Sequence, residues 1–207
     1  AKIINKLKDH AFEKDYLPTL GLMNLREQIK TYYKENFDYD FDIENMCIGP
    51  GSKEMLFQVL FILEGPVIIP APSWVSYGPQ VNIRGKEITT IQTLESNKYK
   101  LKASELETKC KELGEGQKIL IINSPNNPSG AVYDENEISE IAEVAKKNNV
   151  LIMSDEIYAQ VDFSGELKKG FYHYYPEGTL VTAGLSKSHS AGVYRMGFIG
   201  TSNKLDP

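Results

Sequence analysis

A chain of 207 residues, 41% of them hydrophobic, is long enough to bury the core of one large domain or two small ones. Its net charge of −5 leaves no basic face for nucleic acid or an anionic membrane, and points to small-molecule partners instead. Cys47 and Cys110 lie far apart with no CxxC pairing or histidine cluster, which argues against a disulfide framework and a metal site and for a reducing, cytoplasmic setting. No apolar run approaches the roughly 18 residues that cross a bilayer, and residues 1–20 lack the apolar stretch of a signal peptide.

Along the chain, residues 22–37 carry Leu25, Ile29, Tyr32 and Tyr33 at helical spacing, and residues 52–63 follow Pro50-Gly51 in the same way. Both predict helices. Bare apolar runs follow at 67–69, 118–122 (KILII), 150–153 (VLIM), 179–182 (TLVT) and 197–200 (GFIG), the pattern of strands buried on both faces. Residues 134–149 (DENEISEIAEVAKKNN) start acidic and end in lysines, matching the helix dipole, and predict a crossover helix between two strands. The alternation predicts an α/β domain with a mostly parallel central sheet flanked by helices. Ligands of such sheets gather at the carboxyl ends of the strands. Polar clusters stand there, at 123–130, 154–158 and 184–195.

Gly49-Pro50-Gly51-Ser52-Lys53 opens a helix, so its backbone N–H groups suit an anion, although Ser52 also serves as a plain N-cap. Trp74, the only tryptophan, can stack on a flat heteroaromatic or simply fill the core. The loop at 123–130 (NSPNNPSG) is turn chemistry that ends a strand, or a rigid frame aiming an Asn amide. Asp155 follows a buried strand, with Tyr158 three residues on. A carboxylate there meets a cation or caps the next helix. Lys187 lies past the strand TLVT, beside Ser186 and eight residues before Arg195. A desolvated lysine can attack a carbonyl, and a hydroxyl with a guanidinium suits a phosphate. An isolated lysine is more often solvated surface, and an isolated arginine an ion-pair partner.

Taken together, YLPTLGLMNLR (from Tyr16), NSPNNPSG, SDEIY and LSKSHSAGVYRMG resemble, in order and spacing, the class I/II aminotransferase family, fold-type I pyridoxal-phosphate enzymes. The resemblance runs from about residue 15 to residue 200. It implies pyridoxal 5'-phosphate held by Lys187 as a Schiff base, Asp155 paired with the pyridinium nitrogen, and Asn127 and Tyr158 bonded to the phenolate oxygen. It further implies Ser52, Lys53, Ser186 and Arg195 around the phosphate, Trp74 over the ring, and Tyr16 reaching the phosphate of the other subunit in a homodimer. Amino-acid and 2-oxo-acid substrates follow, and Trp74 favours an aspartate- or prephenate-type transaminase. His189, Tyr194 and Arg84 depart from common family residues and bear on substrate choice. A lyase of the aminocyclopropane-carboxylate synthase type and a non-catalytic regulator domain share the same cofactor set. The family's small domain, with its carboxylate-binding arginine, and its N-terminal arm have no counterpart in residues 1–207. The chain therefore reads as the large, cofactor-binding domain.

Overall fold

The computed structural model describes residues 2–161, 163 and 169–205. In chain order the elements are α1 (Lys2–Asp9), α2 (Met23–Phe37), β1 (Cys47–Gly49), α3 (Ser52–Ile62), β2 (Val67–Ala71), α4 (Tyr77–Ile83) and β3 (Ile88–Gln92). They continue with α5 (Ala103–Leu113), β4 (Lys118–Asn123), α6 (Glu135–Lys147), β5 (Val150–Asp155), α7 (Phe171–Tyr174), β6 (Thr179–Gly184) and β7 (Gly197–Gly200). One seven-stranded sheet runs in the order β1-β7-β6-β5-β4-β2-β3. Strands β3, β2, β4, β5 and β6 pair in parallel, while β7 runs antiparallel to both its neighbours, β6 and β1.

The bare apolar runs form the centre of this sheet because successive side chains of a strand point to opposite faces and both faces here are covered. Leu120, Ile122 and Ile152 pack on one side against Leu106 of α5 and Ile138, Ile141 and Ala145 of α6. Their sequence neighbours Ile119, Ile121, Leu151 and Met153 pack on the other, against Leu56, Val59 and Leu60 of α3 and Tyr77 and Val81 of α4. A third layer of Tyr33, Phe37, Tyr39, Phe41, Tyr172 and Phe198 closes the β6–β7 end.

The predicted crossover helix is α6, joining β4 to β5. Its start is a capping box, in which Asp134 accepts from the Glu137 N–H at 3.0 Å and Glu137 accepts from the Asp134 N–H at 2.9 Å. Edge strands β1 and β3 and helices α1, α4, α5 and α7 lie outside the elements expected from periodicity. No described helix is long and apolar enough to cross a membrane.

Candidate functional site

Strands β4 and β5 end level with one another, Asn123 pairing with Asp155, and Asp155 pairs with Thr182 near the end of β6. Beyond this row opens a cleft of about 270 Å3. Nine of the ten residues expected from the sequence line it, namely Ser52, Lys53, Trp74, Asn127, Asp155, Tyr158, Ser186, Lys187 and Arg195. The tenth, Tyr16, is fully exposed in its own chain and does not.

Asp155 is the buried group of the set. Its Oδ2 accepts from the Tyr77 hydroxyl at 2.8 Å and its Oδ1 from the Ile157 N–H at 3.2 Å. Burial pushes its pKa up to about 6, and these two donors offset only part of that cost. The helix-cap alternative does not hold, because turn rather than helix follows Asp155. What remains is a desolvated carboxylate facing a cleft, an arrangement that suits a cationic partner. Tyr77→Phe removes a donor to the ionised form, so the Asp155 pKa is expected to rise further. Carboxyl NMR titration checks this, and an unchanged or lower value would contradict it.

The loop after β4 is braced at several points. Asn123 donates to the Asp155 carbonyl at 2.7 Å and accepts from the Asn127 N–H at 2.9 Å. Asn126 donates to the Pro72 carbonyl at 3.2 Å and to Ser129 at 2.7 Å. Asn127 is thus held half-buried at the cleft wall.

Three cations share the space with Asp155. The Lys187 Nζ lies 5.6 Å from the Tyr158 ring centroid, and the Lys53 Nζ lies 5.6 Å from the Trp74 ring centroid. Lys187 is exposed in this chain, so the desolvation expected at this position is not present here. Arg195 adopts a left-handed backbone (φ 52°) and donates to the Gly192 carbonyl at 2.8 Å. Its guanidinium lies against Gly51, where a Cβ would stand 2.1 Å from the Arg195 Nη2 and where φ is +100°. Only glycine fits such a backbone with that neighbour. The close approach brings Arg195 to the N-terminus of α3, where free N–H groups favour an anion. Trp74 is half-buried, with its ring edge-on to Tyr77 at 5.5 Å; it packs against the core and lines the cleft at once.

Tyr77, Asn123, Ile157 and Gly192 also line the cleft. The motif reading assigned them no role, although Asn123 stands inside NSPNNPSG and Tyr77 one helical turn after Trp74.

The sequence family described as aminotransferase class I and II matches residues 2–205. This chain belongs to that family. Among its relatives, the aspartate aminotransferase of Bacillus subtilis (strain 168) is 33% identical over 196 residues, covering 92% of this chain and 49% of that protein. The aspartate aminotransferase of Bacillus sp. (strain YM-2) is 35% identical over 189 residues, covering 88% and 47%. Among solved structures, the Thermus thermophilus aspartate aminotransferase with maleate superposes with a TM-score of 0.87 at 26% identity, covering 97% of this chain and 52% of that one. The aromatic aminotransferase of Pyrococcus horikoshii OT3 gives 0.86 at 27%, covering 99% and 56%. The chain spans about half the length of the curated relatives it matches. Class I and II aminotransferases depend on pyridoxal phosphate. One buried carboxylate, three cations, a helix N-terminus and an aromatic ring around one cleft suit that flat, phosphorylated heteroaromatic.

Proposed function

We propose that this chain is the cofactor-binding domain of an aminotransferase that moves an amino group between an L-amino acid, aspartate among the candidates, and a 2-oxo acid. The observation that carries this reading is the convergence of nine separately expected residues on one cleft at the carboxyl ends of β4, β5 and β6. The aspartate aminotransferase relatives and a neighbour solved with a dicarboxylate, maleate, support a dicarboxylic substrate.

Pyridoxal phosphate, when bound, supplies an electron sink that stabilises negative charge at the substrate Cα. The protein's own groups do the rest. Lys187 would anchor the cofactor through Nζ and, as an amine, would move a proton at the substrate carbon. Ionised Asp155 would keep the ring nitrogen protonated by charge pairing. Asn127 and Tyr158 would donate hydrogen bonds to the ring hydroxyl oxygen and favour its anionic form. Ser52, Ser186 and Arg195, with backbone N–H groups at Ser52 and Lys53, would hold the phosphate. Trp74 would pack against the ring.

A homodimer is part of the proposal. Tyr16 is fully exposed, as are large parts of Leu17, Leu22 and Met23, and a fully exposed tyrosine suits a role in a partner's site. The arginine that binds the substrate carboxylate would lie outside these 207 residues, which fits coverage of about half of each relative. The free thiols of Cys47 and Cys110 support a reducing, cytoplasmic setting.

The test is amino transfer from aspartate to 2-oxoglutarate by the full-length protein with added pyridoxal phosphate. Formation of glutamate and oxaloacetate is expected. Cofactor binding followed by elimination or decarboxylation alone would contradict transamination.

A further inference from the structure

Glu156 follows Asp155 directly, and its side chain leaves the turn on the side away from the cleft. It is buried and does not line the site. Its Oε1 accepts from the Tyr39 hydroxyl at 3.1 Å and from the Ser154 hydroxyl at 3.0 Å. The Tyr39 oxygen in turn accepts from the Gly170 N–H at 2.8 Å. Gly170 approaches so closely that a Cβ there would stand 2.3 Å from the Tyr39 hydroxyl and 2.7 Å from the Glu156 Oε1. The backbone of Glu156 is fixed as well: its N–H donates to the Thr182 carbonyl at 2.8 Å, and its carbonyl accepts from the Ala159 N–H at 3.0 Å.

Tyr39 is fully buried within the aromatic layer, with Tyr172 at 4.9 Å and Phe41 at 5.7 Å between ring centroids. One carboxylate therefore joins the segment after α2, the end of β5 and the approach to α7. Burying it is costly: desolvation pushes its pKa up to about 7, and the neighbouring charge of Asp155 adds to the rise. A well-packed apolar side chain would serve stability as well or better, so the carboxylate calls for another account. A cavity of about 40 Å3 bordered by Ser154, Glu156, Gly170 and Phe171 gives the turn space to shift if the carboxylate is lost.

We propose that Glu156 is a positioning residue that, through Tyr39 and Ser154, holds the 155–158 turn so that Asp155 and Tyr158 keep their directions in the cleft. The inference rests on the roles proposed above for Asp155 and Tyr158. Its test uses the full-length protein loaded with pyridoxal phosphate and three variants, Glu156→Ala, Glu156→Gln and Tyr39→Phe. The readouts are the pH midpoint of the absorbance of the lysine-bound cofactor, kcat and KM separately, and Tm. A shifted Asp155 or Tyr158 changes the field at the lysine nitrogen. Glu156→Ala is thus expected to move the midpoint by roughly one pH unit and to lower kcat about tenfold, with KM changed much less. Glu156→Gln keeps an acceptor for both hydroxyls and is expected to restore most of both values. Tyr39→Phe is a milder change, informative even if Glu156→Ala fails to fold, and is expected to shift the midpoint in the same direction. A lowered Tm with wild-type midpoint and kcat in Glu156→Ala and Tyr39→Phe would reduce Glu156 to a structural role. A Gln variant as impaired as the Ala variant would also overturn the proposal. A wild-type protein that never binds the cofactor through a lysine would instead overturn the reading of the site itself.

Discussion

Lys187→Ala is expected to abolish the visible absorbance of lysine-bound pyridoxal phosphate while leaving the fold and its thermal transition intact. The side chain is exposed in the chain, with its Nζ 5.6 Å from the Tyr158 ring centroid, so its removal opens no core cavity. Amino transfer is expected to fall on the order of 10³-fold or more, because covalent attachment and proton transfer depend on the same nitrogen. Spectra and kcat of the variant check this. An undiminished band would mean that another lysine holds the cofactor, and Lys53, in the same cleft, would be the first to examine.

Asp155→Asn keeps the side chain's shape and removes its charge. Loss of a buried charge partner costs about 2–5 kcal/mol, so kcat is expected to fall roughly 30- to 5,000-fold. The same substitution has a signature in the cofactor-free protein. Burial raises Asp155 from 3.8 to about 6 and Glu156 from 4.5 to about 7. Between those limits the native chain keeps protons that the unfolded chain has released, so stability is greatest at the acidic end of the window and falls as pH rises through it. Asp155→Asn is expected to flatten that fall below about pH 6, leaving the part due to Glu156. Bound cofactor, by placing a cation beside ionised Asp155, is expected to flatten it in the wild-type protein too. Denaturant midpoints measured from pH 4 to pH 7 check both. An unaltered slope in the variant, or a kcat within a few-fold of wild type, would contradict the role given to Asp155.

The centre of the fold was legible because KILII, VLIM and TLVT are short runs dominated by Ile, Leu, Val and Met, the pattern of strands in a sheet covered on both faces. The edges carried weaker signals. Strand β1 spans three half-buried residues, and β3 mixes Thr89 and Thr90 with Ile88 and Ile91 so that neither alternation nor a bare run appears. The cleft residues were legible as motifs, and the structure brings all but Tyr16 together. Tyr77 and Glu156 were not. Their importance comes from contacts across 78 and 117 residues, to Asp155 and from Tyr39 respectively, which exist only once the strands are in register. The expected desolvation of Lys187 also depended on surroundings that its local sequence does not specify; in this chain it is exposed.

The central claim, that this cleft binds pyridoxal phosphate through Lys187, is tested most directly by trapping the attachment. Full-length protein is incubated with the cofactor, reduced with borohydride to make the linkage permanent, digested, and mapped by mass spectrometry. The account predicts a single phosphopyridoxyl label on the peptide that carries Lys187, absent when Lys187 is replaced. A label on Lys53 or on a lysine outside the cleft, or no stable label at all, would contradict it.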